Sequence, residues 1–328
     1  MVYLEELLEY VGHGGTMTDT DAAEVEKSYE GLMERFCLWA ERRADIRVAI
    51  VVGSRARADH PADEWADLDV VIVTADPDQY VSKSDWISSL GKPLLTFVEP
   101  TSTGGEKERR VLYEKMLDVD FAIFPLEKAR QLLLSIGKSG GAGADSQAAA
   151  QFSNVFGRGV RVLVDKDGVM SRFGAVAASL KRPTSPVPKQ DEFLDVVNDF
   201  LYHAVFTAKH LRRGELWWTV ACLDSYLQYL LLRMIEWHAL AMHDWKHDVW
   251  FRGRFLEEWA DSEAVKGLRE TFAHYDEADV KRALLATIDL FRRLATETAR
   301  RLNYSYPVEA DEKVTEWIRA CISEAEER

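Results

Sequence analysis

The sequence predicts an α+β fold, in which a mixed sheet domain is followed by an all-α helical bundle domain. The β-branched runs that we interpret as strands lie within residues 46–125. Long segments with a helical period of apolar residues lie after residue 190. Because the predicted strands lie in the first half of the chain and long helices fill the second half, we expect two domains of different type.

The first half contains four compact apolar runs that predict strands, and these are "IRVAIVVGS", "DLDVVIV", "PLLTFVE" and "DVDFAIFP". A helical period from Asp19 to Ala44, with Tyr29, Leu32 and Phe36 on one face, predicts an amphipathic helix before them. Shorter helices are expected at "SDWISSL" and "LEKARQLLLSI". We therefore expect a mixed sheet with helices on one face.

The second half is predicted to be entirely helical. Its periodic segments are Asp191–Arg212, Leu216–Asp244, Asp261–Tyr275, Asp279–Asn303 and Glu309 to the end. Before them lie a Gly-rich stretch at 137–145 and the segment "RPTSPVPKQ", whose three prolines exclude a continuous helix. We predict an N-terminal extension over 1–18, a sheet domain over 19–180 and a helical domain over 190–328.

The composition excludes several classes of protein and of binding partner. The 328 residues carry a formal net charge of −14, which argues against a nucleic-acid partner and favours a cationic ligand. No run of apolar residues is long enough to span a membrane, and the first fifteen residues lack the basic start of a secretory signal, so the cytoplasm is the expected location. Cys37, Cys222 and Cys321 are far apart in sequence and are expected to be reduced.

The chemically most informative feature is the pair Asp67 and Asp69 at the start of a predicted strand. Side chains two residues apart on a strand point to the same face, so these two carboxylates would repel unless a cation or a proton lies between them. A divalent ion such as Mg²⁺ resolves the conflict, because it prefers carboxylate, water and phosphate oxygens. A solvated strand end is the alternative interpretation of this pattern.

Neighbouring residues favour the metal interpretation. Gly53 and Ser54 end the preceding strand, where a glycine lets backbone amides approach phosphate oxygens and a serine adds a hydroxyl donor. Arg55 follows in the same turn, as either a phosphate contact or a surface arginine. Asp120, on a later predicted strand, could join the first two aspartates.

These residues resemble the DNA polymerase beta-like nucleotidyltransferase superfamily, through "GSRA", the D-x-D strand and a further strand aspartate. The wider sequence looks like the aminoglycoside 6-adenylyltransferases, also called streptomycin adenylyltransferases. That likeness extends over roughly residues 20 to 300 and includes "GKPLLTF", "VDFAIFP" and "VNDFLYHAVFTAKHLRRGEL". It departs in "LYH", which replaces a more aromatic run, and this leaves the acceptor open.

The resemblance implies a nucleotidyltransferase-type sheet domain and transfer of AMP from ATP, with Mg²⁺, to an aminoglycoside hydroxyl, most simply the 6-hydroxyl of streptomycin. Pyrophosphate would be released, and the activity would give antibiotic resistance. Asp67, Asp69 and Asp120 would hold the metal, whereas Gly53, Ser54 and Arg55 would contact the triphosphate.

The helical domain would add Asp199 at the acceptor and Lys209 at the triphosphate, by position in the same resemblance. A general base could be Asp120 or Asp199. Glu236 and Asp224 interrupt apolar helices, so each is either a buried acid with a partner or an acid that faces substrate.

Alternatives stay open at this point. The enzyme could modify another small-molecule or protein hydroxyl, or it could be a catalytically inactive nucleotide-binding homologue. We expect ATP and a cationic aminoglycoside as partners, no nucleic acid and no membrane, and a monomer or homodimer.

Overall fold

The computed structural model describes residues 19–101, 105–131, 157–168, 170 and 186–323. The chain divides into two compact units, Met1–Pro183 and Thr184–Arg328. The predicted N-terminal extension at 1–18 and the Gly-rich stretch at 137–145 lie outside the described residues.

The first unit is built on a six-stranded mixed sheet with the strand order β3-β4-β5-β2-β1-β6. Only β2 and β5 pair in parallel, and the other four strand pairs are antiparallel. The strands are β1 (Ile46–Val52), β2 (Leu68–Thr74), β3 (Pro93–Pro100), β4 (Lys107–Tyr113), β5 (Leu117–Pro125) and β6 (Arg161–Asp165).

One face of this sheet is covered by α1 (Asp19–Glu41), which ends three residues before the predicted limit at Ala44. Its residues Tyr29, Leu32 and Phe36 are buried against the sheet, as the helical period predicts. Exposure alternates strictly along β2, with residues 68, 70 and 72 buried in the core. The intervening side chains, which include Asp69, therefore point to the opposite face.

The helical elements between β1 and β5 are short. They comprise α2 (Pro77–Val81) and the 3₁₀ turns Gly53–Arg55, Asp85–Ser89 and Glu114–Met116. The predicted helix at "SDWISSL" is thus a 3₁₀ turn, in which Trp86 and Ile87 are buried. The helix predicted at "LEKARQLLLSI" is helical over 126–131, and its remainder lies outside the described residues.

The second unit is a helical bundle, and no strand occurs among its described residues. Its helices are α3 (Gln190–Arg212), α4 (Leu216–Ala221), α5 (Gln228–Met242), α6 (Leu256–Trp259), α7 (Ser262–Leu268), α8 (Glu277–Leu302) and α9 (Val308–Ser323). The core contains a parallel stack of Phe200 on Phe291, with the ring centroids 3.7 Å apart. None of the helices formed by the described residues combines the length and the apolarity that crossing a bilayer requires.

Two helix predictions in this unit were wrong in extent. The single helix predicted over Leu216–Asp244 is interrupted by a π-helical segment, Cys222–Leu227, and ends at Met242. The helix predicted over Asp261–Tyr275 ends at Leu268. After Leu268, the backbone instead forms hydrogen bonds with side chains of α5 and of the π-helical segment. Gln228 donates to the Thr271 carbonyl, and Asp224 accepts from the Ala273 amide.

Candidate active site

Three aspartates meet on the face of the sheet opposite α1. Asp67 immediately precedes β2, and Asp69 is in register with Asp120 across the parallel β2–β5 pair. One carboxylate oxygen from each of the three lies within 4.8 Å of the other two. Among the described residues, no other group of three His, Cys, Asp or Glu side chains brings its ligand atoms this close.

Asp120 is the most enclosed member of this group, with 8% of its surface exposed. Burial raises the pKa of its carboxyl to about 6, and the negative charges of Glu108, Asp67 and Asp118 act in the same direction. Arg110 opposes them. The cluster is therefore a place where negative charge is costly and where a bound cation would be stabilised.

The turn between β1 and the loop before β2 requires a glycine. Gly53 has a φ of +70°, and a Cβ atom built on it would lie 2.2 Å from Oδ2 of Asp69. The turn can thus approach the carboxylate only without a side chain. This contact places the backbone of the Gly-Ser turn directly beside the acidic cluster.

Ser54 supplies an unsatisfied polar group in the same turn. Its Oγ is buried, and it has no hydrogen-bond partner among the described residues. Buried hydroxyls normally have a partner, so an oxygen-rich ligand at this point would satisfy the group. Together, the three carboxylates, the glycine and this hydroxyl fit a divalent ion with a polyphosphate.

Arg55 lies at the end of the turn and contacts the loop that carries Asp67. Its Nε donates to the Asp67 carbonyl at 3.0 Å, and its Nη2 donates to the Ala66 carbonyl at 2.8 Å. The guanidinium also lies 3.7 Å from the ring centroid of Tyr29, whose hydroxyl donates to Asp118. These contacts hold the backbone of Asp67 in place, and a phosphate contact for Arg55 stays a prediction.

Sequence reasoning missed Arg110, because the strand that carries it was not predicted. Arg110 of β4 is in register with Asp120 of β5, and its Nη1 lies 3.0 Å from Oδ2 of that aspartate. The same guanidinium pairs with Glu108 and Glu99. The alternation in "KERRVLY" was the available signal, but four consecutive charged residues concealed it.

In the helical unit, Asp199 lies on α3 with both carboxylate oxygens engaged. The Tyr226 hydroxyl of the π-helical segment donates to Oδ2 at 2.9 Å. Nδ1 of His203, one turn further along α3, lies 2.7 Å from Oδ1. The pKa of the Tyr226 hydroxyl is raised, and its hydrogen bond to Asp199 is the largest cause.

Lys209 lies on the same helix but contacts a different neighbour. Its side chain is exposed, and Nζ lies 5.7 Å from the ring centroid of Trp317 on α9. Asp199, in contrast, contacts the π-helical segment. The predicted roles of Asp199 at the acceptor and of Lys209 at the triphosphate stay predictions.

The two acids that interrupt apolar helices differ in their surroundings. Asp224 accepts a hydrogen bond from the Ala273 amide, and its pKa is raised by burial. Glu236 makes no hydrogen bond or ion pair among the described residues, and burial raises its pKa to about 7, although Arg233 counteracts this. Asp224 thus has a backbone hydrogen-bond donor, whereas Glu236 has no hydrogen-bond or ion-pair partner among the described residues.

Comparisons with known proteins identify the family to which this chain is similar. The family model described as streptomycin adenylyltransferase matches residues 26–321. An aminoglycoside 6-adenylyltransferase from Bacillus subtilis (strain 168) is 22% identical over 302 residues, which cover 89% of this chain and 96% of the relative. One from Campylobacter jejuni is 22% identical over 281 residues, covering 83% of this chain and 88% of the relative.

The solved structures include a crystal structure of an aminoglycoside 6-adenyltransferase from Bacillus subtilis. It is 17% identical to this chain and has a TM-score of 0.40. The alignment covers 89% of this chain and 96% of that one.

Proposed function

Since the chain belongs to the streptomycin adenylyltransferase family, which is a family of nucleotidyltransferases, we propose that it transfers AMP from MgATP to a hydroxyl of an aminoglycoside. The 6-hydroxyl of streptomycin is the first acceptor to test, and pyrophosphate is the expected second product. The family match and the names of the relatives support the aminoglycoside as acceptor. Adenylylation of the drug would give antibiotic resistance.

The observation that carries this proposal is the convergence of Asp67, Asp69 and Asp120 beside the Gly53–Ser54 turn. Three carboxylates this close repel one another, and the burial of Asp120 strengthens the repulsion. Such an arrangement is useful when a divalent ion occupies it and brings the phosphates of a nucleotide with it.

The residues of the sheet unit would act mainly by binding and orientation. Asp67, Asp69 and Asp120 would hold Mg²⁺, which when bound neutralises the cluster and acts as a Lewis acid toward phosphate oxygens. The Ser54 hydroxyl would donate to the triphosphate, and Gly53 would admit that phosphate to the backbone amides of the turn. Arg55 would keep Asp67 at the ion through the two backbone carbonyls that it binds.

The helical unit would recognise the acceptor. An aminoglycoside is cationic, so acidic side chains and the net charge of −14 favour its approach. Asp199 is our candidate at the acceptor and Lys209 our candidate at the triphosphate. The cytoplasm, which supplies ATP and magnesium, stays the predicted location, and a monomer or a homodimer stays the predicted state.

Mass spectrometry tests the reaction directly. Streptomycin incubated with the protein and MgATP should gain one AMP, and the Asp69→Asn variant should produce no adduct while keeping the wild-type melting temperature. A panel of other aminoglycosides, small-molecule hydroxyls and protein acceptors separates the acceptor classes. Transfer to no aminoglycoside would contradict the proposal, and calorimetry without magnesium-dependent ATP binding would instead indicate an inactive homologue.

A further inference from the structure

Side chains of four neighbouring strands form one row across the sheet. Residues directly opposite each other on paired strands point to the same face. Phe97 of β3 is opposite Arg110 of β4, which is opposite Asp120 of β5. Asp120 is in turn opposite Asp69 of β2. The row therefore runs from the edge strand β3 to the acidic cluster, on a single face of the sheet unit.

The acidic cluster has a different neighbour on each side. On the side of β1, the next group is the turn of Gly53 and Ser54, since the end of β1 is paired with Asp69. On the other side, β4 and β3 follow β5 in the strand order, so the next groups are Arg110 and Phe97. The turn and the β3 end of the row thus lie on opposite sides of the aspartates.

This order indicates the direction from which an acceptor approaches. In phosphoryl transfer, the attacking and the leaving oxygen lie roughly in line on opposite sides of the phosphorus. On the proposed function, the turn of Gly53 and Ser54 binds the triphosphate, so pyrophosphate leaves toward β1. The acceptor hydroxyl then reaches the α-phosphorus from the opposite side, over β5 and β4.

The β3 end of the row presents apolar surface on this side. Phe97 is 48% exposed, and Leu95, two residues before it and therefore on the same face, is 53% exposed. On the opposite face of β3, Thr96 accepts a hydrogen bond from the buried Arg109. An exposed aromatic ring offers a large, rigid apolar face, against which the C–H groups of a sugar or cyclitol ring can pack.

The charges next to Phe97 favour a cationic ligand. Glu99 of β3 is directly opposite Glu108 of β4, and like charges in this arrangement repel each other. The Arg110 guanidinium pairs with both glutamates, with Nη2 2.9 Å from Oε1 of Glu108, and also with Asp120. Among the described residues, no other cation forms an ion pair with either glutamate. The glutamate pair therefore carries an excess of negative charge.

Of the two glutamates, Glu99 is the one that a ligand can contact. Its side chain is 40% exposed, whereas that of Glu108 is 10% exposed. An ammonium or guanidinium group would balance the excess charge through a charge-assisted hydrogen bond to Glu99. A nucleobase could also pack on Phe97, but it carries no positive charge at neutral pH and would leave the excess in place.

We propose, on the basis of the proposed function, that the β3 end of this row is the part of the sheet unit that binds the acceptor. Phe97 packs against a ring of the aminoglycoside, and Glu99 binds one of its ammonium or guanidinium groups. Arg110 is a positioning residue, which holds Glu99 and Glu108 together beside Asp120. The unit that contains the aspartate cluster thus also recognises the acceptor by its charge.

A split between the two substrates tests the role of the ring. Phe97→Ser should raise the KM for streptomycin about tenfold, the scale of a lost aromatic contact, and leave the KM for ATP unchanged. Leu38→Ser is the control, because Leu38 is 59% exposed on α1, the helix that covers the opposite face of the sheet. A rise in the KM for ATP alone would place the nucleotide on Phe97 and overturn the proposal.

A comparison of cationic and neutralised acceptors tests the role of Glu99. Streptomycin derivatives in which one guanidino or amino group is replaced by a neutral group are assayed with the wild type and with Glu99→Gln. The wild type should lose about tenfold in kcat/KM with one derivative, and Glu99→Gln should lose nothing further with that same derivative. Glu30→Gln removes an equally exposed glutamate that pairs with Arg161, and it should behave like the wild type. Additive losses with every derivative would overturn the proposal.

Calorimetry measures the same contacts without turnover. With magnesium and α,β-methylene ATP, which cannot release pyrophosphate, streptomycin should bind the wild type about tenfold more tightly than Phe97→Ser or Glu99→Gln. If the wild type adenylylates streptomycin and both variants match their controls, the inference fails while the proposed function stands. If the wild type modifies no aminoglycoside, the proposed function itself fails, and the inference fails with it.

Discussion

The sheet unit and the helical unit each present an acidic site, and the two are organised in opposite ways. In the sheet unit, Asp67, Asp69 and Asp120 converge within 4.8 Å, and Asp120 is so enclosed that its pKa is raised to about 6. In the helical unit, Asp199 stands with two donors, Tyr226 and His203, on its two oxygens.

The difference indicates what each site lacks. Converging carboxylates carry an excess of negative charge that a divalent ion would remove, so the sheet site is completed by a cation. Asp199 accepts one hydrogen bond on each oxygen, so its carboxylate and its two donors hold one another in position. One site is thus suited to holding a ligand, and the other to orienting a side chain.

The largest expected effect is the loss of a carboxylate from the sheet site. Asp69→Asn should reduce kcat/KM for AMP transfer by at least about a thousandfold, because a metal ligand is removed. Without magnesium, its melting temperature should equal or exceed that of the wild type, because one of three like charges is gone. Enzyme assays and thermal melts with and without MgATP measure both.

Asp78→Asn, on an exposed residue of α2, is the matched control and should keep both the activity and the MgATP-dependent rise in melting temperature. If Asp69→Asn still shows the MgATP-dependent rise in melting temperature, the sheet site does not depend on this carboxylate for binding, and the distinction between the two sites is lost.

The next effect concerns the glycine that contacts the cluster. Gly53→Ala places a Cβ atom 2.2 Å from Oδ2 of Asp69, so the carboxylate must shift. We expect roughly a hundredfold loss of activity, the usual scale for misplacement of a catalytic group by about 1 Å. Steady-state assays over a range of magnesium concentrations should show a weaker apparent affinity for the metal.

Gly168→Ala separates backbone strain from this clash. Gly168 also has a positive φ, of +61°, but a Cβ atom on it would meet nothing within 4 Å. Both variants should lose a similar stability, about 1 kcal/mol. Equal activity losses in the two variants would show that strain, and not the contact with Asp69, is responsible.

A smaller effect is expected at the helical site. Tyr226→Phe removes one of the two donors to Asp199 and should lower kcat about tenfold, the scale of one hydrogen bond to a charged group. Tyr275→Phe, an exposed tyrosine that packs against Trp217, is the control and should leave kcat unchanged. A loss as large as that of Asp69→Asn would mean that Asp199 depends on its partners as strongly as the sheet cluster depends on its cation.

Glu236 provides the smallest and purely thermodynamic test. Its folded-state pKa is raised to about 7 from an ordinary value of 4.5, so the folded protein binds more protons than the unfolded chain between those values. The free energy of unfolding that this group contributes is present below pH 4.5 and is lost as the pH rises to about 7. Urea titrations at pH 5 and 7.5 should show a decrease of about 2 kcal/mol that Glu236→Gln lacks.

Glu257→Gln, at an exposed glutamate, should retain the wild-type dependence on pH. A decrease of the same size in Glu236→Gln would assign it to another group. Because Asp199 has two donors whereas Glu236 has none, this experiment measures what an acid in the helical unit costs without partners.

Much of the fold could be read from the sequence where hydrophobic pattern and secondary structure agree. The apolar runs predicted β1, β2, β3 and β5, and the helical period predicted the long helices α3 and α8. The pattern failed for β4, whose charged residues hide its alternation, and for β6, which is only five residues long. In β4, Arg109 is buried, and its Nε donates to the Tyr80 carbonyl, a partner that no local pattern reveals.

The candidate active site could likewise be predicted only in part from the sequence. Strand alternation gave the common direction of Asp67 and Asp69, since it is a local property of extended backbone. Arg110 could not be predicted, because it reaches Asp120 only through the pairing of β4 with β5. The same holds for Tyr226, which reaches Asp199 from another element.

The sequence by itself determined which residue types carry the chemistry and which of them share a strand face or a helix, because these follow from backbone periodicity. The tertiary structure decided which distant groups meet: the closeness of Asp120 to the D-x-D pair, the contact of Gly53 with Asp69, and the two donors on Asp199. The physical reason is that charge repulsion, burial and hydrogen bonding act over a few ångströms in space, whereas sequence patterns specify only neighbours along the chain.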